Sequence, residues 1–169
     1  MLTFILASPA QTRKLARVLA ELLRPPAVVT VEGDLGTGKT TLVREILRAR
    51  GVHGAITSPS FTLAQSYRGR EGEELHHLDL YRLGAGADAD LFAWDDYLGP
   101  HAITFVEWPA AGSVALPAPD LRIELAHRTR QSRGATLRGE ASVERVVFKR
   151  LAAQDIRVTP GDEAGAVRA

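Results

Sequence analysis

Apolar residues fall along this chain in short blocks, and the spacing inside each block changes from one to the next. Thr3 to Ala7 is a brief apolar run that predicts a strand. Leu15, Val18, Leu19 and Leu22 then recur at helical spacing. Ahead of them Ser8 can cap a helix, Pro9 suits its first position and Gln11 can close a capping box. Pro25-Pro26 ends that helix. Ala27 to Val31 is a β-branched run too short for a helix and predicts a buried strand. A glycine-rich turn follows, then a second helix over Thr40–Arg50 with Gly51 as its stop.

In the middle, "SPSFTLAQSYRG" and "EELHHLDLYRL" predict two strands joined by a polar turn around Gly69 to Gly72. Asp88 to Leu98 predicts a helix with acidic residues at its start. Ala102 to Trp108 is another apolar strand, and Pro109 to Pro119 reads as a loop. "LRIELAHR", "ATLRGE" and "RVVFKRL" alternate in part and predict antiparallel strands at a sheet edge. From Asp155 the core periodicity is lost. The expectation is one domain over residues 1–154 and a loose tail over residues 155–169.

Composition narrows the class. A chain of 169 residues with 45% hydrophobic positions suits one domain with a real core. A net charge of +1 gives no global pull towards nucleic acid or membrane. The absence of cysteine excludes disulfides and thiolate chemistry. The first residues carry no basic segment before a short apolar run, so the expected location is the cytoplasm, with no membrane partner. Of 21 basic side chains only Lys14, Lys39 and Lys149 are lysines.

Lys39 lies in the stretch that matters most. Gly33-Asp-Leu-Gly36-Thr37-Gly38-Lys39-Thr40 fits G-x-x-x-x-G-K-[ST], with a predicted strand before it and a helix after it. Glycines let the backbone approach phosphate closely, and the helix N-terminus adds its positive end. Lys39 can reach the β- and γ-phosphates, the Thr40 hydroxyl can ligate Mg²⁺, and Thr41 is placed for a further phosphate contact. No N-K-x-D element of guanine-specific proteins is present, and Asp96-Tyr-Leu-Gly99 spells D-x-x-G at the wrong place, so ATP is the expected nucleotide.

A phosphate cradle of this kind needs a carboxylate at the end of a neighbouring strand to hold Mg²⁺. Glu107, which closes Ile103-Thr-Phe-Val106, fits that pattern better than Asp79 in "HHLDLYR". Asp79 is then a supporting group or the one that orients the attacking water. His77 and Asp79 share a strand face, but zinc needs three or four ligands, so hydrogen bonding is the expected role of His77. Trp108 can line the active centre, stack on a base or simply pack. Ser58, Ser60 and Thr62 offer hydroxyls that can sense a γ-phosphate or merely lead into a strand.

Four motifs now stand in order: "GDLGTGKTTL", "SPSFTL", "HLDLYRL" and "FVEWP". Together they resemble the TsaE family, formerly called YjeE, over roughly Phe4 to Leu151. The resemblance implies an α/β, P-loop NTPase fold: a central, mostly parallel sheet with added antiparallel strands and flanking helices. It also implies a small ATPase required for N6-threonylcarbamoyladenosine (t6A) formation on tRNA. ATP would lie on Gly36, Thr37, Gly38, Lys39, Thr40 and Thr41, with Mg²⁺ on Thr40 and Glu107. Asp79 resembles the family's functional acid and Trp108 its active-site aromatic. Ser8 and Thr12 resemble an element near the base or ribose, and Arg133 a late-strand arginine that approaches the nucleotide. Ser60 stands where many relatives have threonine, which keeps the hydroxyl. The implied partners are homologues of TsaB and TsaD, with tRNA contacted indirectly.

Two other readings stay open at this point. A small-molecule kinase would need an acceptor pocket and an arginine-rich lid. The arginines at 128, 130, 133 and 138 imitate a lid but lie between predicted strands. An RNA-binding module would use the eight basic and four acidic residues of Asp120–Arg150, a net of +4 without regularly interleaved aromatics.

Overall fold

In the computed structural model, residues 1–59, 62–83, 93–112 and 116–160 are described. The elements run β1 (Leu2–Leu6), α1 (Pro9–Leu22), β2 (Ala27–Glu32), α2 (Lys39–Ala49), β3 (Ala64–Arg68), β4 (Glu74–Asp79), β5 (Ala102–Glu107), β6 (Leu121–His127), β7 (Arg133–Gly139), α3 (Ala141–Ala152) and β8 (Val158–Pro160). All the strands join one sheet in the order β3-β4-β5-β2-β6-β7-β1-β8. The central block β4-β5-β2-β6 is parallel, and antiparallel strands extend it on both sides. This is the α/β architecture that the strand–cradle–helix reading requires.

Local chemistry explains most boundaries. Ser8 is the N-cap of α1 and accepts from the Gln11 backbone N–H, while the Gln11 side chain reaches back to the Ala7 N–H. The buried face of α1 is Leu15, Ala16, Val18 and Leu19, each leucine contributing roughly 1.5–3 kcal/mol on leaving water. β2 reads as a continuous apolar run because it is covered on both faces.

Alternation along the strands divides the core. Leu75, Ile103 and Phe105 join the main cluster with Leu42, Val43 and Ile46 of α2. Leu78, Leu80, Val106 and Trp94 form a second cluster. The face that carries Phe105 also carries Glu107, because side chains two apart on a strand point the same way. By the same rule His77 and Asp79 share the face of Leu75, so all three polar groups look towards α2.

Three expectations change. "RVVFKRL" is not a strand but part of α3, whose Val147 and Leu151 are buried one helical turn apart. Two apolar residues at i and i+4 had been masked by a β-branched pair between polar flanks. The predicted helix over Asp88–Leu98 is, in its described part, a single 3-10 turn at Trp94–Asp96; residues 84–92 lie outside the described residues. The chain after Asp155 is not loose throughout. Ile156 is buried, and β8 pairs antiparallel with β1, Phe4 opposite Val158. Residues 161–169 lie outside the described residues, as do Ser60 and Phe61. Among the described residues no helix is long and apolar enough to cross a membrane.

Candidate phosphate and metal site

The turn between β2 and α2 is held in a conformation that only glycine accepts easily. Gly33 has φ +130, and a Cβ there would sit 2.0 Å from the Leu125 carbonyl oxygen. Gly38 is the N-cap of α2 with φ +102, and a Cβ there would meet nothing within 4 Å. The Gly38 cap makes no side-chain hydrogen bond, so it leaves the first N–H groups of the helix without a capping side chain. That is the construction of an anion cradle.

Side chains from the β6–β7 hairpin brace the turn from outside. Arg133 Nε donates to the Thr37 carbonyl at 3.0 Å, and its guanidinium also reaches the Gly36 carbonyl at 3.5 Å. His127 Nε2 lies 3.2 Å from the Leu35 carbonyl. Within the turn the Thr37 N–H is spent on the Asp34 carbonyl at 3.3 Å. Arg133 therefore has a role in this structure that the sequence did not reveal: it grips the backbone of the turn.

Lys39 folds back on the same turn, donating to the Gly33 carbonyl at 2.8 Å and the Asp34 carbonyl at 2.9 Å. Its Nζ also lies 3.9 Å from the centroid of the Trp108 ring. Burial pulls its pKa below the usual lysine value, against the opposing pull of Glu107, Asp79 and Asp34. Trp108 is held with φ +57, and its ring meets that of Tyr81 at 4.9 Å between centroids. The indole thus lines the Lys39 end of the cleft.

Register brings the acids together. Asp79 ends β4 directly beside Glu107, which ends β5. Glu107 Oε2 accepts from Thr40 Oγ1 at 3.0 Å, and Oε1 lies 2.7 Å from His77 Nε2. Asp79 Oδ1 instead accepts from the Tyr81 N–H at 3.1 Å and starts the 3-10 turn Tyr81–Leu83. Thr40 and Glu107 are hard oxygen donors facing one another, a set that suits Mg²⁺ completed by phosphate and water. Among the described residues no group of three or more His, Cys, Asp or Glu forms a cation cage of its own.

Two clefts meet along the turn and share Gly36, Gly38 and Thr41. One, of about 400 Å³, is lined by Lys39, Thr40, Asp79, Glu107 and Trp108, with Tyr81 and Arg82 at its wall. The other, of about 210 Å³, is lined by Ser8, Thr12, Thr37, Gln131 and Arg133. Every residue that the resemblance assigned to nucleotide or metal borders one cleft or the other, whereas Ser58 and Thr62, offered as γ-phosphate sensors, line neither. Arg82 is the cation missed by the sequence reading. Its place in the quoted motif "HLDLYRL", three residues after Asp79, was the available signal. A larger cavity of about 600 Å³ is lined by helix C-termini and arginines, but its buried Arg50–Glu73 pair at 3.0 Å ties its floor together, and none of its lining residues belongs to the cradle. Size alone does not locate the chemistry here.

The family model for threonylcarbamoyl adenosine biosynthesis protein TsaE matches residues 6–135. The tRNA threonylcarbamoyladenosine biosynthesis protein TsaE of Haemophilus influenzae is 35% identical over 114 residues, 67% of this chain and 72% of that protein. Its counterpart in Synechocystis sp. is 40% identical over 110 residues, 63% of this chain and 69% of that protein. The crystal structure of Bacillus subtilis YdiB superposes with a TM-score of 0.72 at 25% identity, covering 92% of this chain and 97% of that one.

Proposed function

This chain belongs to the TsaE family of threonylcarbamoyladenosine biosynthesis proteins, and from that premise we propose that it is a cytoplasmic, Mg²⁺-dependent ATPase that serves t6A formation on tRNA. The observation that carries the reading is the contact of Thr40 Oγ1 with Glu107 Oε2, 3.0 Å apart at the mouth of an uncapped glycine turn.

Each residue then has a physical task. The first N–H groups of α2 and the turn receive the phosphate oxygens. Lys39 leaves the carbonyls of Gly33 and Asp34 and places its charge on the β- and γ-phosphates. Thr40 and Glu107 would hold Mg²⁺, whose chemistry is to neutralise charge on the β- and γ-phosphate oxygens. Asp79, beside Glu107, orients the water that attacks the γ-phosphate. Thr41 reaches the α-phosphate. Ser8, Thr12 and Arg133 border the smaller cleft, which takes the nucleoside. Trp108 and Tyr81 shield the phosphate end from water.

Arg82 lines the phosphate cleft and is exposed, where a partner surface can reach it; slow turnover is the expected behaviour of the isolated chain. Homologues of TsaB and TsaD supply the surface that completes the site, and tRNA is contacted through them. The nucleotide is a switch for that assembly, not a phosphate donor to a small acceptor. The deciding experiment is phosphate release from ATP by the purified chain, alone and with its TsaB and TsaD homologues. Slow release that rises with the partners is the expected result. No partner effect, with labelled phosphate recovered on an added acceptor, would replace this reading with the kinase one.

A further inference from the structure

His77 cannot touch a nucleotide, because it is 0% exposed beneath the site. Its ring nonetheless points at Glu107, with Nε2 2.7 Å from Oε1. The other ring nitrogen, Nδ1, is buried and has no hydrogen-bond partner among the described residues. These facts fix the tautomer. A hydrogen on Nδ1 would bury a donor with nothing to receive it, and a bare Nε2 would set a lone pair against a carboxylate oxygen. The better-paired ring carries its hydrogen on Nε2 and donates it to Oε1, leaving only the Nδ1 acceptor unpaired.

The donation determines which oxygen Glu107 presents to the cleft. With Oε1 engaged below, Oε2 is the oxygen beside Thr40 Oγ1. We infer that His77 is a positioning residue that holds the Glu107 carboxylate in one rotamer, with Oε2 turned to the Mg²⁺ position. Without that hydrogen bond the carboxylate turns about its last bond, and Oε2 is not preset beside Thr40. Hydrogen-bond partners behind metal ligands commonly change metal affinity by about 10–100-fold. The inference rests on the reading of Glu107 as the Mg²⁺ ligand, and the experiment separates the two.

The test is a magnesium titration of a fluorescent ADP analogue on the full chain, comparing wild type with His77→Phe and His77→Gln. Phe keeps the ring volume without a donor, whereas the Gln amide nitrogen can reach Oε1. The expected result is a Mg²⁺ midpoint about tenfold higher in the Phe variant, unchanged affinity for the analogue in EDTA, and recovery of most of the loss by Gln. A wild-type affinity that ignores Mg²⁺ overturns the metal reading itself. A normal wild-type response with an equal midpoint in the Phe variant overturns only the positioning role. If Phe does not fold at this buried site, long-range ¹H–¹⁵N correlation spectra of the wild type decide. The Nε2–H tautomer supports the inference, and the Nδ1–H tautomer overturns it.

Discussion

Asp79 and Glu107 end adjacent parallel strands in register, yet their carboxylates have different work. Glu107 faces Thr40, whereas Asp79 caps the turn that begins at Tyr81. Glu107→Ala is therefore expected to raise the Mg²⁺ midpoint for nucleotide binding by at least about tenfold. Asp79→Ala is expected to leave that midpoint nearly unchanged while lowering phosphate release. A magnesium titration of both variants checks the order, and the reverse order would exchange the roles.

Lys39 should make nucleotide affinity fall at alkaline pH. Burial lowers its pKa in the free protein, so the charged form is lost earlier than in an ordinary lysine. Bound phosphates favour the charged form and raise the pKa again. Below the lowered pKa both states are protonated and affinity is flat. Above it, binding must take up a proton, so affinity declines with rising pH. Calorimetry in buffers of different ionisation enthalpy reads this uptake directly, and Lys39→Ala should abolish both the uptake and productive ATP use.

Arg133 gives a different signature. It donates to the Thr37 carbonyl, so Arg133→Ala releases the turn without touching the Thr40–Glu107 pair. Loss of a charged hydrogen bond of about 1.5–3 kcal/mol predicts roughly tenfold or greater weakening of nucleotide binding, with the Mg²⁺ midpoint unchanged. Equilibrium binding at saturating and at varied Mg²⁺ separates the two effects.

The C-terminal segment is expected to matter for stability. Ile156 is 2% exposed in the main core, so Ile156→Ala should cost about 2–4 kcal/mol. Truncation after Gln154 should cost more, since it also removes β8 from the edge of β1. Thermal or denaturant melts check this. An unchanged melting temperature would show that the segment contributes nothing to the fold.

How much of this was legible beforehand depended on the range of the interactions. The cap at Ser8, the stop at Pro25-Pro26 and the glycine turn are set by residues within a few positions of one another, so the sequence displays them directly. α3 was misread because its apolar residues fit both periods, and only its packing on the core selects the helix. β8 was missed because three residues carry almost no pattern, and its hydrogen bonds are made with a strand at the other end of the chain.

The sequence by itself determined the glycine-rich turn, the strand and helix around it and the set of candidate acids. The cause is that backbone freedom at Gly33 and Gly38, and the charge of Lys39, are properties of the residues themselves. Only the tertiary structure decided which acid faces Thr40, why His77 is buried behind it, and that Arg133 holds the turn. Those relationships depend on strand register and side-chain direction between segments far apart in the chain. A shift of one residue would turn Glu107 to the opposite face of the sheet.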